Sequence, residues 1–143
     1  MKRKIIVFVT FLLTLTISVL ALVGCNGEGT AKAEIALKNE TTVVIKVNET
    51  EGFATLLDAM QYLKDEGELN FEITGGMVSS IEGKANPVDW SACWMLYTSD
   101  EEMSNTEWGT TTYDGNVYGS AILGAESLSV ASNEYYIWVY EIF

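Results

Sequence analysis

The sequence reads Tyr135-Tyr136-Ile137-Trp138-Val139-Tyr140-Glu141 near its last residue, Phe143. Successive side chains of a strand point to opposite faces of a sheet. One face would therefore carry Tyr136, Trp138 and Tyr140, and the other Tyr135, Ile137 and Val139. Because both faces are bulky and apolar, the pattern predicts a strand that is packed on both sides. We expect the aliphatic face to meet a helix.

A second strand of the same kind is predicted at Cys93–Thr98, where Trp94 and Leu96 alternate with Met95 and Tyr97. We expect it to be central in the sheet. From Trp90 onward the chain contains all four tryptophans and six of the seven tyrosines. Two interpretations are open, a packed aromatic layer or a concave site in which rings stack on a flat ligand.

Six aromatic residues are the candidate ligand contacts. Four lie on the two predicted strands: Trp94, Tyr97, Tyr136 and Trp138. Trp108 and Tyr118 lie in polar surroundings, so they are expected to be more exposed and are the better individual candidates. Cys93 lies between apolar neighbours and is predicted to be a buried small side chain rather than a nucleophile.

Upstream, the β-branched run Thr42–Val47 predicts a strand, with a possible partner at Glu34–Leu37. The apolar residues of Leu56–Leu63 recur at helical spacing, with Thr55 and Asp58 as a variant capping box and Gly67 as the stop. Leu69–Thr74 alternates like a half-exposed strand, and Met77–Ile81 continues after a glycine turn. The segment Tyr113-Asp114-Gly115-Asn116 predicts a hairpin turn.

The order of these motifs resembles the transcobalamin-like C-terminal domain family of Gram-positive surface proteins, over roughly residues 41–143. The resemblance is carried by Thr55–Ala59, Ser80–Gly83, Trp94–Tyr97 and Tyr136–Tyr140. It implies an α+β fold, a β-grasp-like mixed sheet packed against one main helix. It also implies part of a cobalamin site that two domains share in transcobalamin and intrinsic factor. The family's Asn-Gly is replaced here by Ser99-Asp100, and its Gly-Asp by Asn133-Glu134, which weakens the implication of cobalamin specificity.

The start of the chain has the layout of a lipoprotein signal peptide. Three basic residues precede the uncharged run Ile5–Val23, and Leu22-Val23-Gly24-Cys25 matches a lipidation box. The sequence predicts a signal peptide at residues 1–24, an acylated Cys25 with a flexible tether at 25–40, and one domain at 41–143. A retained membrane helix is the alternative, and it would place the domain on the same side.

Composition limits the possible functions. The formal net charge is −12, and such a surface repels nucleic acid, whose affinity depends on cations that face phosphates. The chain has no histidine and no zinc, nucleophile-elbow or phosphate-loop motif, so no enzyme, no cofactor and no metal site is predicted. Calcium bound by Asp100, Glu101 and Glu102 is a further alternative, although EF-hand spacing is missing.

These features predict an extracytoplasmic binding module that is anchored to the cell membrane through lipidated Cys25. Its ligand would be a soluble molecule, possibly a corrinoid such as cobalamin, held on an aromatic face. An importer or another envelope protein is the expected protein partner. The alternative function is an envelope protein–protein interaction module without a small-molecule ligand.

Overall fold

The computed structural model describes residues 30–143. This part of the chain contains nine strands, one α-helix and a short 3₁₀ helix at Glu101–Met103. The helix, α1, is Leu56–Asp65. The strands are β1 Ala33–Lys38, β2 Thr42–Val47, β3 Phe71–Thr74, β4 Met77–Ile81, β5 Lys84–Ala85, β6 Ala92–Thr98, β7 Ser104–Tyr113, β8 Asn116–Ala121 and β9 Glu134–Ile142.

The strands form two sheets. The large sheet has the order β1-β2-β9-β6-β8-β7, and the small sheet has the order β3-β4-β5. The recorded strand pairs are all antiparallel. The predicted α+β fold with a mixed sheet packed against one main helix is therefore wrong. The described residues are mostly strand, and α1 leads into a second sheet instead of returning the chain as a crossover to a parallel strand.

Helix α1 forms where the sequence predicted it. Its buried residues are Leu56, Ala59, Met60 and Leu63, the one apolar stripe of an amphipathic helix. The Asp58 carboxylate accepts the backbone N–H groups of Ala54 and Thr55 at 2.8 and 2.9 Å, which confirms its part in the cap. These hydrogen bonds hold the pKa of Asp58 below its usual value, first through Thr55 and then through Ala54.

The main core lies between the large sheet, α1 and the small sheet. It joins Met60 and Leu63 of α1 to Trp94 of β6 and to Tyr136 and Trp138 of β9. The expectation that the aliphatic face of β9 meets the helix is thus wrong, since the aromatic face does. A ten-residue helix spans only about 15 Å, so wide rings and the small sheet fill the space that the helix leaves.

The other face of the large sheet carries a smaller cluster. Val44, Tyr97 and Ile137 are buried there, and Tyr135 and Val139 pack against them. Both faces of β6 and β9 are therefore packed, as the sequence indicated. β6 also lies between β9 and β8, which confirms its predicted central position.

β7 and β8 form the predicted hairpin, with Asp114 and Gly115 at positive φ of 49° and 77° in the turn. The pairing is interrupted by an irregularity between Asn105 and Thr110. At this point the backbone of β7 passes close to Gly119. A Cβ added to Gly119 would lie 3.0 Å from the Thr106 backbone nitrogen and 3.1 Å from the Asn105 carbonyl carbon.

β1 pairs with β2 in the large sheet, which confirms the strand suggested at Glu34–Leu37. The predicted domain boundary at residue 41 therefore falls between two paired strands rather than at the end of a tether. Residues Ala31–Phe143 form one compact unit. Cys25 and the signal peptide at 1–24 lie outside the described residues. Within residues 30–143, no helix is long and apolar enough to cross a membrane.

We predict that Gly119→Ala destabilises the domain by about 1–3 kcal/mol, because the new methyl group would collide with backbone that cannot move without breaking the β7–β8 pairing. Gly124→Ala is the matched control. No atom lies within 4 Å of the Cβ position at Gly124, so this change should be neutral or slightly stabilising. Urea unfolding of both variants measures the difference, and equal stabilities would contradict the close approach at Gly119.

Candidate functional site

A cavity with an apolar lining opens where β8 leaves β6. Within the part of the chain that the structure describes, β8 pairs with β6 at Tyr97 and Thr98 only. β9 continues along β6 from Ala92 to Thr98. β8 ends at Ala121. After this residue the chain turns away from β6, and the Ile122 N–H donates to the Met103 carbonyl at 3.0 Å. On the side of β6 that faces away from β9, the residues before Tyr97 therefore border a cavity instead of a neighbouring strand.

This cavity, here called the inter-sheet crevice, lies between the two sheets and has a volume of about 330 Å³. Its wall is formed by Trp94, Leu96 and Trp138 of the large sheet, Val78 of the small sheet, and Ala121 and Ala125. The volume is at the lower end of the range for small-molecule sites, roughly 300–1,000 Å³. Its lining suits an apolar group.

Asn86 connects the two sheets beside the crevice. Its side-chain oxygen accepts the backbone N–H of Trp94 at 3.0 Å, and its side-chain nitrogen donates to the Val78 carbonyl at 3.1 Å. The side chain thus takes the place of a neighbouring strand at one position of β6. This bridge fixes the spacing of the two crevice walls.

Two tryptophans of the crevice differ in their hydrogen bonding. The Trp94 indole donates to the Lys84 carbonyl at 2.8 Å, and its ring lies edge-on to Tyr140 at 5.3 Å. Trp138 is only 5% exposed, and its indole Nε1 has no hydrogen-bond partner among residues 30–143. A buried unsatisfied donor costs about 1–3 kcal/mol. Trp138 is thus a crevice residue with an unused donor.

The mouth of the crevice is apolar. Four exposed side chains, here called the rim, surround it: Met77, Trp90, Ile122 and Leu123. Contiguous exposed apolar surface of this kind is typical of binding sites. Trp90 is 55% exposed and has a positive φ of 57°, a conformation that bulky residues rarely adopt. Such strained positions are concentrated at ligand clamps and active sites.

The structure separates the six predicted contact residues. Trp94 and Trp138 come together in the crevice. Tyr136 is fully buried in the main core, where its hydroxyl accepts the Ala131 N–H at 2.8 Å. Tyr97 is buried on the opposite face and donates to the Glu141 carboxylate. These two tyrosines are core residues, as the packed-layer interpretation expected.

Trp108 and Tyr118 are on the β7–β8 hairpin. Trp108 is 63% exposed, which confirms its expected exposure. Tyr118 is half-buried and lines a polar groove together with Asn105 and Glu107. Neither residue lines the inter-sheet crevice.

Two further predictions concern Cys93 and the acidic loop. Cys93 was predicted to be buried, but its side chain is only half-buried at the crevice. Burial first, and then the Glu141 carboxylate, raises the pKa of its thiol. Asp100 accepts the Glu102 N–H at 3.0 Å and so caps the 3₁₀ helix. Across the described range, no group of three or more possible metal-ligating side chains is found.

Sequence reasoning missed the rim and the Asn86 bridge. Trp90 is an aromatic residue in a polar loop just after the single proline, Pro87. The criterion that selected Trp108, an aromatic in polar surroundings, would also have selected Trp90. Met77, Ile122 and Leu123 carry no such signal, because their exposure depends on where β8 ends.

Comparisons with protein-family models, with curated proteins and with solved structures found no match for this chain. The resemblance to the transcobalamin-like family therefore stays a prediction from sequence motifs.

We predict that the domain loses stability as the pH rises from about 10 to about 12. Burial raises the pKa of Tyr136 to about 12 and raises that of Tyr97 as well. Above pH 10 these phenols ionise in the unfolded chain while they stay neutral in the folded one. Unfolding then releases protons, so the free energy of unfolding falls as the pH rises. Below pH 10 both tyrosines are neutral in the folded and in the unfolded chain, and their full contribution to stability is present.

Urea unfolding at pH 9 and at pH 11.5 measures this loss. Tyr136→Phe should be less stable than the parent at pH 9 and should show a smaller decrease at pH 11.5. An equal decrease in the two proteins would show that Tyr136 is not the buried titrating group.

Proposed function

We propose that this protein is a binding module whose ligand occupies the inter-sheet crevice. The observation that carries the proposal is the apolar cavity between the two sheets, with exposed apolar side chains at its mouth. A ligand with an apolar body would fill this cavity. The exposed rim adds apolar surface that such a ligand would cover.

The crevice favours binding over catalysis. Its lining is mostly aromatic, aliphatic and small, and its polar groups are the Asn86 amide, the Ser120 hydroxyl and the Cys93 thiol, whose pKa is raised. A raised pKa keeps the thiol protonated, which makes it a poor nucleophile. We therefore propose a non-enzymatic function, as the sequence predicted.

A corrinoid is one proposed ligand, supported only by the sequence resemblance. The crevice volume of about 330 Å³ would admit a side group of such a large molecule, and the rim would meet the rest. We also propose that the module is held at the extracytoplasmic face of the cell membrane by acyl chains on Cys25. A soluble ligand would then be captured near an importer.

The alternative function, a protein–protein interaction module of the envelope, has one specific support. The exposed rim could be covered by a protein partner instead of a small molecule. Retention of a bound small molecule on the purified protein would favour the crevice ligand, and a stable protein complex that covers Trp90 would favour the alternative.

We predict that the chain from Asn26 to Phe143, which contains the whole compact unit, binds the neutral apolar dye N-phenylnaphthylamine with an increase in dye fluorescence. Trp138→Phe removes part of the aromatic wall of the crevice, so the dye should bind this variant roughly 3- to 10-fold more weakly. Trp108→Phe is the control, because Trp108 lies on the hairpin and outside the crevice, and it should bind normally. Cobalamin is tested by equilibrium dialysis against the same three proteins. Equal binding by all three would contradict the crevice as the site.

We predict that Cys25→Ala abolishes membrane anchoring. Several acyl chains on one cysteine make a stable anchor, so the parent protein should incorporate labelled palmitate and sediment with membranes after a salt wash. The variant should incorporate none. Palmitate labelling of Cys25→Ala at the parent level would contradict lipidation at this residue.

A further inference from the structure

The charges around the inter-sheet crevice are of one sign. No lysine or arginine is among the lining residues in the range from 30 to 143. Two carboxylates lie beside lining residues. Asp89 precedes Trp90 in the chain. The Glu126 carboxylate lies next to Gly76, with its Oε2 atom 3.0 Å from the position that a Cβ would take on this glycine. Within residues 30–143, the mouth therefore has negative charge nearby and no positive side chain among its lining residues.

Three of the five lysines in residues 30–143 have partners outside the crevice. Lys38 binds Glu82 at 3.4 Å, and Lys64 donates to the Phe71 carbonyl at 2.8 Å. The Lys84 ammonium lies 4.3 Å from the centre of the Tyr140 ring and donates to the Glu40 carbonyl at 3.2 Å. None of the five lysines is among the crevice residues. Because residues 30–143 place no positive group at the mouth, a ligand could supply one.

Asp89 stays charged in this position. Its carboxylate accepts the Ser91 hydroxyl at 2.8 Å and the Ser91 N–H at 3.1 Å. These hydrogen bonds lower the pKa of Asp89, the hydroxyl most and then the N–H. The carboxylate is thus ionised at neutral pH and is held in the loop that presents Trp90.

Trp90 supplies the second element of a cation site. Its indole is exposed at the mouth, and its position is fixed by a turn in which the Trp90 N–H donates to the Pro87 carbonyl at 3.1 Å. The face of a tryptophan ring attracts organic cations more than other aromatic faces do.

We propose that the ligand of the inter-sheet crevice is an amphipathic organic cation. Its apolar body enters between Trp94, Leu96 and Val78. Its positive group stays at the mouth, against the Trp90 ring and near the carboxylates of Asp89 and Glu126. This inference rests on the proposed binding function, and it excludes fatty acids and other amphipathic anions as preferred ligands.

The test compares three probes with one apolar body: the cation naphthylmethyl-trimethylammonium, neutral naphthylmethanol and the anion naphthylacetate. Each displaces N-phenylnaphthylamine from the chain Asn26–Phe143. We expect the cation to bind roughly two- to fivefold tighter than the alcohol, the gain typical of a cation on an exposed aromatic face. The acetate should bind most weakly, and salt should reduce the differences.

Three variants locate the cation. Trp90→Leu keeps apolar surface at the rim but removes the ring, so the ratio of the affinity for the cation to the affinity for naphthylmethanol should fall below twofold, even if the smaller side chain weakens the binding of both. Glu126→Gln should lower the preference in the same way. Trp108→Leu, at an exposed tryptophan outside the crevice, should change neither value.

Two results would overturn the proposal in different ways. If naphthylmethanol binds in the crevice but the cation binds no tighter, the binding function stands and the cation selectivity is wrong. If no naphthyl compound displaces the dye and the dye itself does not bind, both the selectivity and the proposed function fail.

Discussion

The antiparallel pairing of β6 with β9 is the constraint on which the rest of the structure depends. Seven residue pairs join the two strands, from Ala92 opposite Ile142 to Thr98 opposite Tyr136. This pairing places the rings of Trp94, Tyr136 and Trp138 on one face. Because these rings are wide, the helix and the small sheet must both pack on that face to bury them. The two-sheet architecture follows from the need to cover more aromatic surface than one short helix can.

The crevice is a consequence of unequal strand pairing. β9 accompanies β6 along its whole length, whereas β8 stays beside it at two residues and then departs. A well-packed protein would fill the resulting gap with a side chain or another strand. Here Asn86 bridges one position, and the remainder is left open between Trp138 and Val78. The unpaired indole N–H and the strained Trp90 are two local costs at the same place. Local violations that are concentrated at one place are typical of functional sites.

The sequence allowed the local elements to be predicted because their signals are local. The apolar spacing of Leu56–Leu63 led to α1, and Asp114-Gly115 led to the β7–β8 hairpin. The assembly of these elements was not predictable in the same way. Both faces of Tyr135–Glu141 are apolar, so alternation could not decide which one meets the helix, and the face with Tyr136 was assigned wrongly. The mixed sheet was inferred from a family resemblance, and the antiparallel pairing is set by long-range contacts that short motifs do not encode.

The contrast between local signals and long-range assembly also applies to the site residues. Trp94 and Trp138 were selected as aromatic strand residues, and the fold brings them together only because β6 and β9 are neighbours. Tyr97 and Tyr136 have the same sequence signal and are core residues. Trp90 was missed because its importance comes from its place at the mouth, which is set by the end of β8 and by the turn after Pro87.

The most direct measurement is the indole ¹H–¹⁵N spectrum of the chain Asn26–Phe143 during a titration with naphthylmethyl-trimethylammonium, since each of the four tryptophans contributes one indole signal. Each signal is assigned by substitution of one tryptophan. The account predicts that the signals of Trp138 and Trp90 shift together with one dissociation constant, while that of Trp108 stays in place. A titration that shifts Trp108 alone, or that saturates without moving the Trp138 signal, would contradict the inter-sheet crevice as the binding site.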